Sequence, residues 1–192
     1  MLPLGVIWEF IGPILGDSIK ERIKPKGSSE IAKEKVLNLS RALENVSKCT
    51  DDFVDALKSL VNATENKLPR DIITSEVQKI ETISENLLTS LEKLSEALDE
   101  INPQLEIYEN ELVQNINHYR CSRMRLLESL YDLVGLNMIE VVGPSWDNNI
   151  KIKDIDLRPI LLEAEKNRDL ILKATTEFRD FIKEEFKFKE LF

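Results

Sequence analysis

His118 is the one histidine of the chain, and it stands in the segment NINHYRCSRMR with Arg120, Cys121, Arg123 and Arg125 close by. A histidine among arginines is the first place to look for acid–base chemistry, because imidazole exchanges its proton near neutral pH. The surroundings do not complete a site. Helical RNases of the HEPN type need an arginine a turn or so upstream of the histidine, where Leu112, Val113 and Gln114 stand. A di-iron bundle needs Glu-x-x-His, and the residue three before His118 is Asn115. His118 with Cys49 and Cys121, the only cysteines, falls short of a zinc site. No GxxxxGK[ST] or GxGxxG phosphate loop occurs. A Ser–His–Asp set stays open on one sequence, but nothing marks a nucleophile turn. The expectation is a non-enzymatic protein without metal or cofactor, with His118 on a helix surface or hydrogen-bonding between helices. Arg120, Arg123 and Arg125 suit either a phosphate or an acidic helix. Eight acids between Asp71 and Glu100, against Lys79 and Lys93, make an interhelical pairing the expected use.

Chemistry of another kind is written into residues 2 to 19, LPLGVIWEFIGPILGDSI. Placed on a helix, Leu4, Trp8, Ile11, Leu15, Ile19 and Ile23 fall along one side, and Val6, Ile7, Phe10 and Ile14 cover much of the rest. A narrow stripe of small residues, Gly5, Gly12 and Gly16, holds the single carboxylate of Glu9. Repeated glycines in a helix cost stability and point to close backbone approach. Directly after this segment come Lys20, Arg22, Lys24 and Lys26. Two uses fit. The helix is buried in a bundle, the glycines letting it nest between neighbours and the basic run being a solvated exit. Alternatively it enters lipid, with Leu4, Trp8, Phe10, Ile11, Ile14 and Leu15 inserted and the basic run at the headgroups. Glu9 then opposes insertion until it is paired or protonated. From Met1 to Leu15 the run is about 22 Å as a helix, short of the roughly 30 Å hydrocarbon core.

These candidates sit in a chain of long helices. No glycine occurs between Gly27 and Gly135, and only Pro69 and Pro103 interrupt that span. The first expected helix covers about 28–65, capped by Ser28 or Ser29, with Val36, Leu39, Leu43, Val46, Thr50, Phe53, Leu57 and Leu60 as its seam. The second covers 71–101 with Ile73, Val77, Ile80, Ser84, Leu87, Leu91, Leu94, Leu98 and Ile101. The third, about 103–136, carries Leu105, Tyr108, Leu112, Ile116, Tyr119, Leu126, Leu130 and Val134. The fourth, 159–190, presents Ile160, Leu161, Ala164, Ile171, Phe178 and Ile182. Seams this narrow must pack on one another. The expectation is an all-α fold: an antiparallel four-helix bundle over 28–192 with an extra apolar N-terminal helix over 1–27. The connection 137–158 reads as a small hairpin through IEVV and IKIK, or as a strap anchored by Trp146. FRDFIKEEFKFKELF holds five of the seven phenylalanines, more aromatic surface than one seam uses.

The totals narrow the partners. With 192 residues, 42% of them hydrophobic and 32% charged, the chain can fold around one core. A formal charge of −9 argues against nucleic acid. Cys49 and Cys121 read as free thiols in a reducing compartment, and the apolar start lacks the basic lead of a secretory signal.

The order of parts resembles the HeLo and HeLo-like domains of fungal cell-death proteins, the executioner bundle of the mixed-lineage kinase-like pseudokinase, and prokaryotic Bell domains. The matching pieces are LPLGVIWEFIGPILGDSI and ISENLLTSLEKLSEALDEI, over about the first 135 residues. The resemblance implies a cytoplasmic effector that self-associates on activation, moves to the membrane and permeabilises it through its first helix, sometimes under a sensor protein. The rival expectation is a helical scaffold or adaptor whose residues 1–23 are core.

Overall fold

A computed structural model of the chain describes residues 3–14, 30–101, 106–135 and 156–186. Among them are five helices and no strand: α1 (Pro3–Ile14), α2 (Glu30–Glu65), α3 (Arg70–Ile101), α4 (Glu106–Leu133) and α5 (Arg158–Phe186). The fold is all-α. The hairpin or strap expected over 137–158, with Trp146, lies outside the described residues, as do Ser28, Ser29, Pro103 and Leu105.

The break between α2 and α3 is built from local geometry. Lys67 takes a left-handed backbone (φ 51°), and the Leu68 N–H reaches back to the Ala63 carbonyl at 3.0 Å. That is the hydrogen bond that closes a Schellman cap. Pro69 begins the next helix, its carbonyl accepting from Ile72 and Ile73. The far end of α4 stops at Gly135, also left-handed (φ 67°), and Arg70 from the start of α3 donates through Nε to the Val134 carbonyl at 2.8 Å. Each turn therefore fixes a neighbouring helix as well as its own.

Cross-helix pairs give the register. Lys35 Nζ donates to the Glu100 carbonyl and Cys49 Sγ lies 3.5 Å from Ser90 Oγ, so α2 and α3 run in opposite directions. On α4 and α3, Arg120 pairs with Glu92 and Tyr131 with Glu81. On α5 and α2, Arg158 pairs with Glu65, Lys58 with Glu165, and Arg168 with Asp51. These last three are surface or half-buried pairs. Their worth is alignment more than stability, since exposed ion pairs contribute on the order of 0–1 kcal/mol each.

The seams are the core. Every expected seam residue of α2 is buried, including Thr50, whose hydroxyl donates to the Val46 carbonyl at 2.8 Å. The α3 seam is buried from Ile73 to Leu98, with Ile101 packed at its edge. Ile116, Tyr119, Leu126 and Leu130 of α4, Val134 just after it, and Ala164, Ile171, Phe178 and Ile182 of α5 are buried as well. The buried face of α2 is wider than a two-position seam, taking in Leu37, Ser40, Ser47, Val54 and Val61, because α2 packs against both α3 and α5.

Candidate functional site

The site of interest is the seat of α1. Helix packing runs α2 to α3, α3 to α4, α4 to α1, α1 to α5, and α5 back to α2. No comparable contact joins α4 directly to α5 among the described residues. The first helix therefore closes the ring between them.

The walls of this seat follow from helix geometry at about 100° per residue. On α4, Arg120 and Tyr131 turn toward α3, to which they bond. Leu126 and Leu133, both buried, lie at the opposite edge of the buried arc. On α5, Arg158 and Glu165 mark the α2 side. Ala174, Phe178 and Phe181 lie at the other edge, the two rings 6.3 Å apart. The phenylalanine-rich C-terminal segment thus supplies cover on the side where α1 packs. Phe188 and Phe192 lie outside the described residues.

Within α1, Leu4 and Ile11 are fully buried, and Ile7 and Val6 nearly so, at 1% and 3% exposure. Trp8 is half-buried against the same core. Glu9 is exposed, while Gly5 and Gly12 are half-buried beside it. The apolar faces point inward, and the glycine stripe with its carboxylate lies along the outer side. The three nearest atoms that a Cβ on Gly12 would meet belong to the ring of Trp8, at 3.5–3.8 Å, an ordinary van der Waals distance. Among the described residues, then, Gly12 does not serve to bring another helix close. The side chains of Phe10 and Ile14, and all of Leu15, Gly16, Lys20, Arg22, Lys24 and Lys26, lie outside the described residues. No described helix is long and apolar enough to cross a membrane.

The polar candidates have structural partners. Arg123 donates through Nε to Ser84 Oγ at 2.8 Å and pairs with Glu85 at 2.7 Å. Tyr119, buried, donates its hydroxyl to the Ser84 carbonyl at 2.8 Å, and burial pushes its phenol pKa well up. Tyr131 donates to Glu81, and burial together with that carboxylate raises its pKa too. Ser84 is thus one of the points at which α4 is tied to α3, a role the seam pattern alone did not show. Arg125 and His118 are exposed. Cys49 is half-buried and Cys121 exposed, both as free thiols. Among the described residues no group of three or more His, Cys, Asp or Glu is placed to hold a metal ion.

Comparison with protein-family models, with curated proteins and with solved structures gave no match.

Proposed function

We propose that α2 to α5 form an antiparallel four-helix bundle with an extra apolar first helix, and that the protein is a membrane-permeabilising cell-death or defence effector. The single observation that carries this reading is the placement of α1. It is a helix apolar on most of its faces, seated as a separate piece between two helices that make far less contact with each other. Its order before long amphipathic helices is that of HeLo-like and Bell domains.

On this reading α1 leaves its seat and takes its apolar faces into lipid, while Lys20, Arg22, Lys24 and Lys26 stay at the headgroups. Twelve residues make about 18 Å of helix, so α1 alone enters one leaflet or lies in the interface. Glu9, already outward, is the charge that must be protonated or paired. Gly5, Gly12 and Gly16 then give the close contact surface for an oligomer in lipid. A sensor protein is the natural trigger, and the move is from cytoplasm to membrane.

The burial of Leu4, Ile7 and Ile11 favours a second reading, a scaffold whose first helix is permanent core. The two separate in one experiment. The full chain with Trp146→Phe, leaving Trp8 as sole tryptophan, is added to dye-loaded liposomes containing brominated lipid at neutral and acid pH. The effector reading expects dye release together with quenching of Trp8. Intact vesicles and unquenched Trp8 throughout support the scaffold.

A further inference from the structure

We propose that the Arg123–Glu85 pair is an acid-sensitive latch that holds α4 against α3. The two helices meet over a narrower contact than α2 and α3 do. Three α4 side chains cross it to carboxylates of α3: Arg120 to Glu92, Arg123 to Glu85 and Tyr131 to Glu81. Residues 81, 85 and 92 lie within about 40° of one another around their helix, so all three ties leave one side of α3.

The ties respond differently when their carboxylates take up protons. The Arg120 side chain is 51% exposed, so water replaces its counter-ion. Tyr131 is neutral, and its hydroxyl still donates to the carbonyl oxygen of a protonated Glu81. Arg123 has neither way out. Its side chain is 14% exposed, and a guanidinium keeps its proton. Among the described residues Glu85 is its one carboxylate partner, and its other bond, to Ser84 Oγ, is to a neutral group. The groups around the pair do not supply a replacement. Tyr119 of α4 is buried and neutral, and the nearby Cys49 of α2 is a free thiol. Glu81 and Glu92 are neutralised by the same acid. On the other side of α4, the one described charge of α1 is Glu9, which is exposed. Protonated Glu85 therefore strands a mostly buried cation, and removing one partner of such a pair is strongly destabilising. Arg123 regains water when α4 lifts from α3, which gives up the bonds from Tyr119 and Arg123 to Ser84. Because α4 is also a wall of the α1 seat, the latch bears on the membrane reading through that seat. Its test contains no lipid and does not read α1, so failure of one is distinguishable from failure of the other.

The experiment uses the full-length chain with Cys49→Ser and Asn86→Cys, spin-labelled at Cys121 and at position 86. Cys121 is exposed on α4 and Asn86 on α3. The distance between labels is read by electron paramagnetic resonance at neutral pH and at about pH 4, near where a glutamate side chain is half protonated. Circular dichroism follows helicity in each sample. A second, longer distance is expected in acid, the ratio of open to closed molecules rising on the order of tenfold. Glu85→Gln keeps the shape without the charge and is expected to show the longer distance already at neutral pH. Arg123→Met removes the stranded cation and is expected to keep the short distance at both pH values. An unchanged distance in acid overturns the proposal. So does a Glu85→Gln chain that stays closed at neutral pH, or an Arg123→Met chain that opens as its parent does. Opening that comes only with loss of helicity is unfolding, and it counts against the latch as well.

Discussion

At the scale of single residues, the polar groups inside this bundle are few and differ in how well they are satisfied. Thr50 and Ser84 each donate to a carbonyl of their own helix, and Ser84 in addition anchors Tyr119 and Arg123 of α4. Asp51 is less well served. Burial raises its pKa above the usual 3.8, Arg168 pulls it down from 3.9 Å, and Asp55, Asp52 and Asp169 push it up again, for a net rise. A carboxyl with a raised folded-state pKa adds stability only where it is protonated, below its ordinary value, and that gain is lost as pH rises through the folded value. Ionised Asp51 therefore costs stability at neutral pH. Asp51→Asn is expected to raise the melting temperature slightly at pH 7, by the equivalent of up to about 0.5 kcal/mol because the side chain is partly solvated. The difference should shrink as pH is lowered toward 3.8. Melts of both proteins across that range check it, and a gain that grows at low pH contradicts it.

At the scale of elements, α1 is the unusual one. Its stripe of Gly5, Gly12 and exposed Glu9 lies on the outer side, where nothing in the described fold uses it. Glycine in a helix gives up to about 1 kcal/mol relative to alanine, chiefly through unfolded-chain entropy. Because a Cβ at Gly12 meets Trp8 at an ordinary 3.5 Å, Gly12→Ala should fold and gain up to about that amount. Dye release by this variant should fall if the stripe packs helices in lipid. A stabilised variant with undiminished release would remove the glycines from the mechanism and leave only the apolar faces. The other helices carry their ends with more conventional means: the cap at Lys67 and the Arg70 bond to the end of α4.

At the scale of the whole molecule, the ring of packing among the described residues is closed by its shortest helix. The α2–α3 pair shares the broadest contact, α4 packs on α3 and α5 on α2, and among the described residues α1 bridges α4 to α5. Ile7 is 1% exposed, so Ile7→Ala removes buried methyl groups from that bridge at a cost of about 2–5 kcal/mol. The loss belongs to the seat of α1. In a Trp146→Phe background, the Trp8 transition is expected to move to lower denaturant, while the loss of helicity by circular dichroism moves much less. Coincident transitions that shift together would show a single cooperative unit and favour the scaffold over the effector.

The long helices were legible from the residues alone because a narrow apolar seam has one stable fate, which is burial against another seam. Val36 to Leu60 and Ile73 to Leu98 are buried at each expected position, and Pro69 with the left-handed Lys67 stands where one helix had to end. The arginine cluster's partners followed from charge, and Glu85 and Glu92 of the acidic α3 meet Arg123 and Arg120. What periodicity could not decide was the placement of α1. A helix apolar on most faces has no single direction in which to turn, so the sequence left its neighbours open and left open which side the glycines take. Only the tertiary structure decides that, because the gap between α4 and α5 exists only once four helices have packed. Filling it with Leu4, Ile7 and Ile11 leaves Glu9, the one charge of α1, toward water.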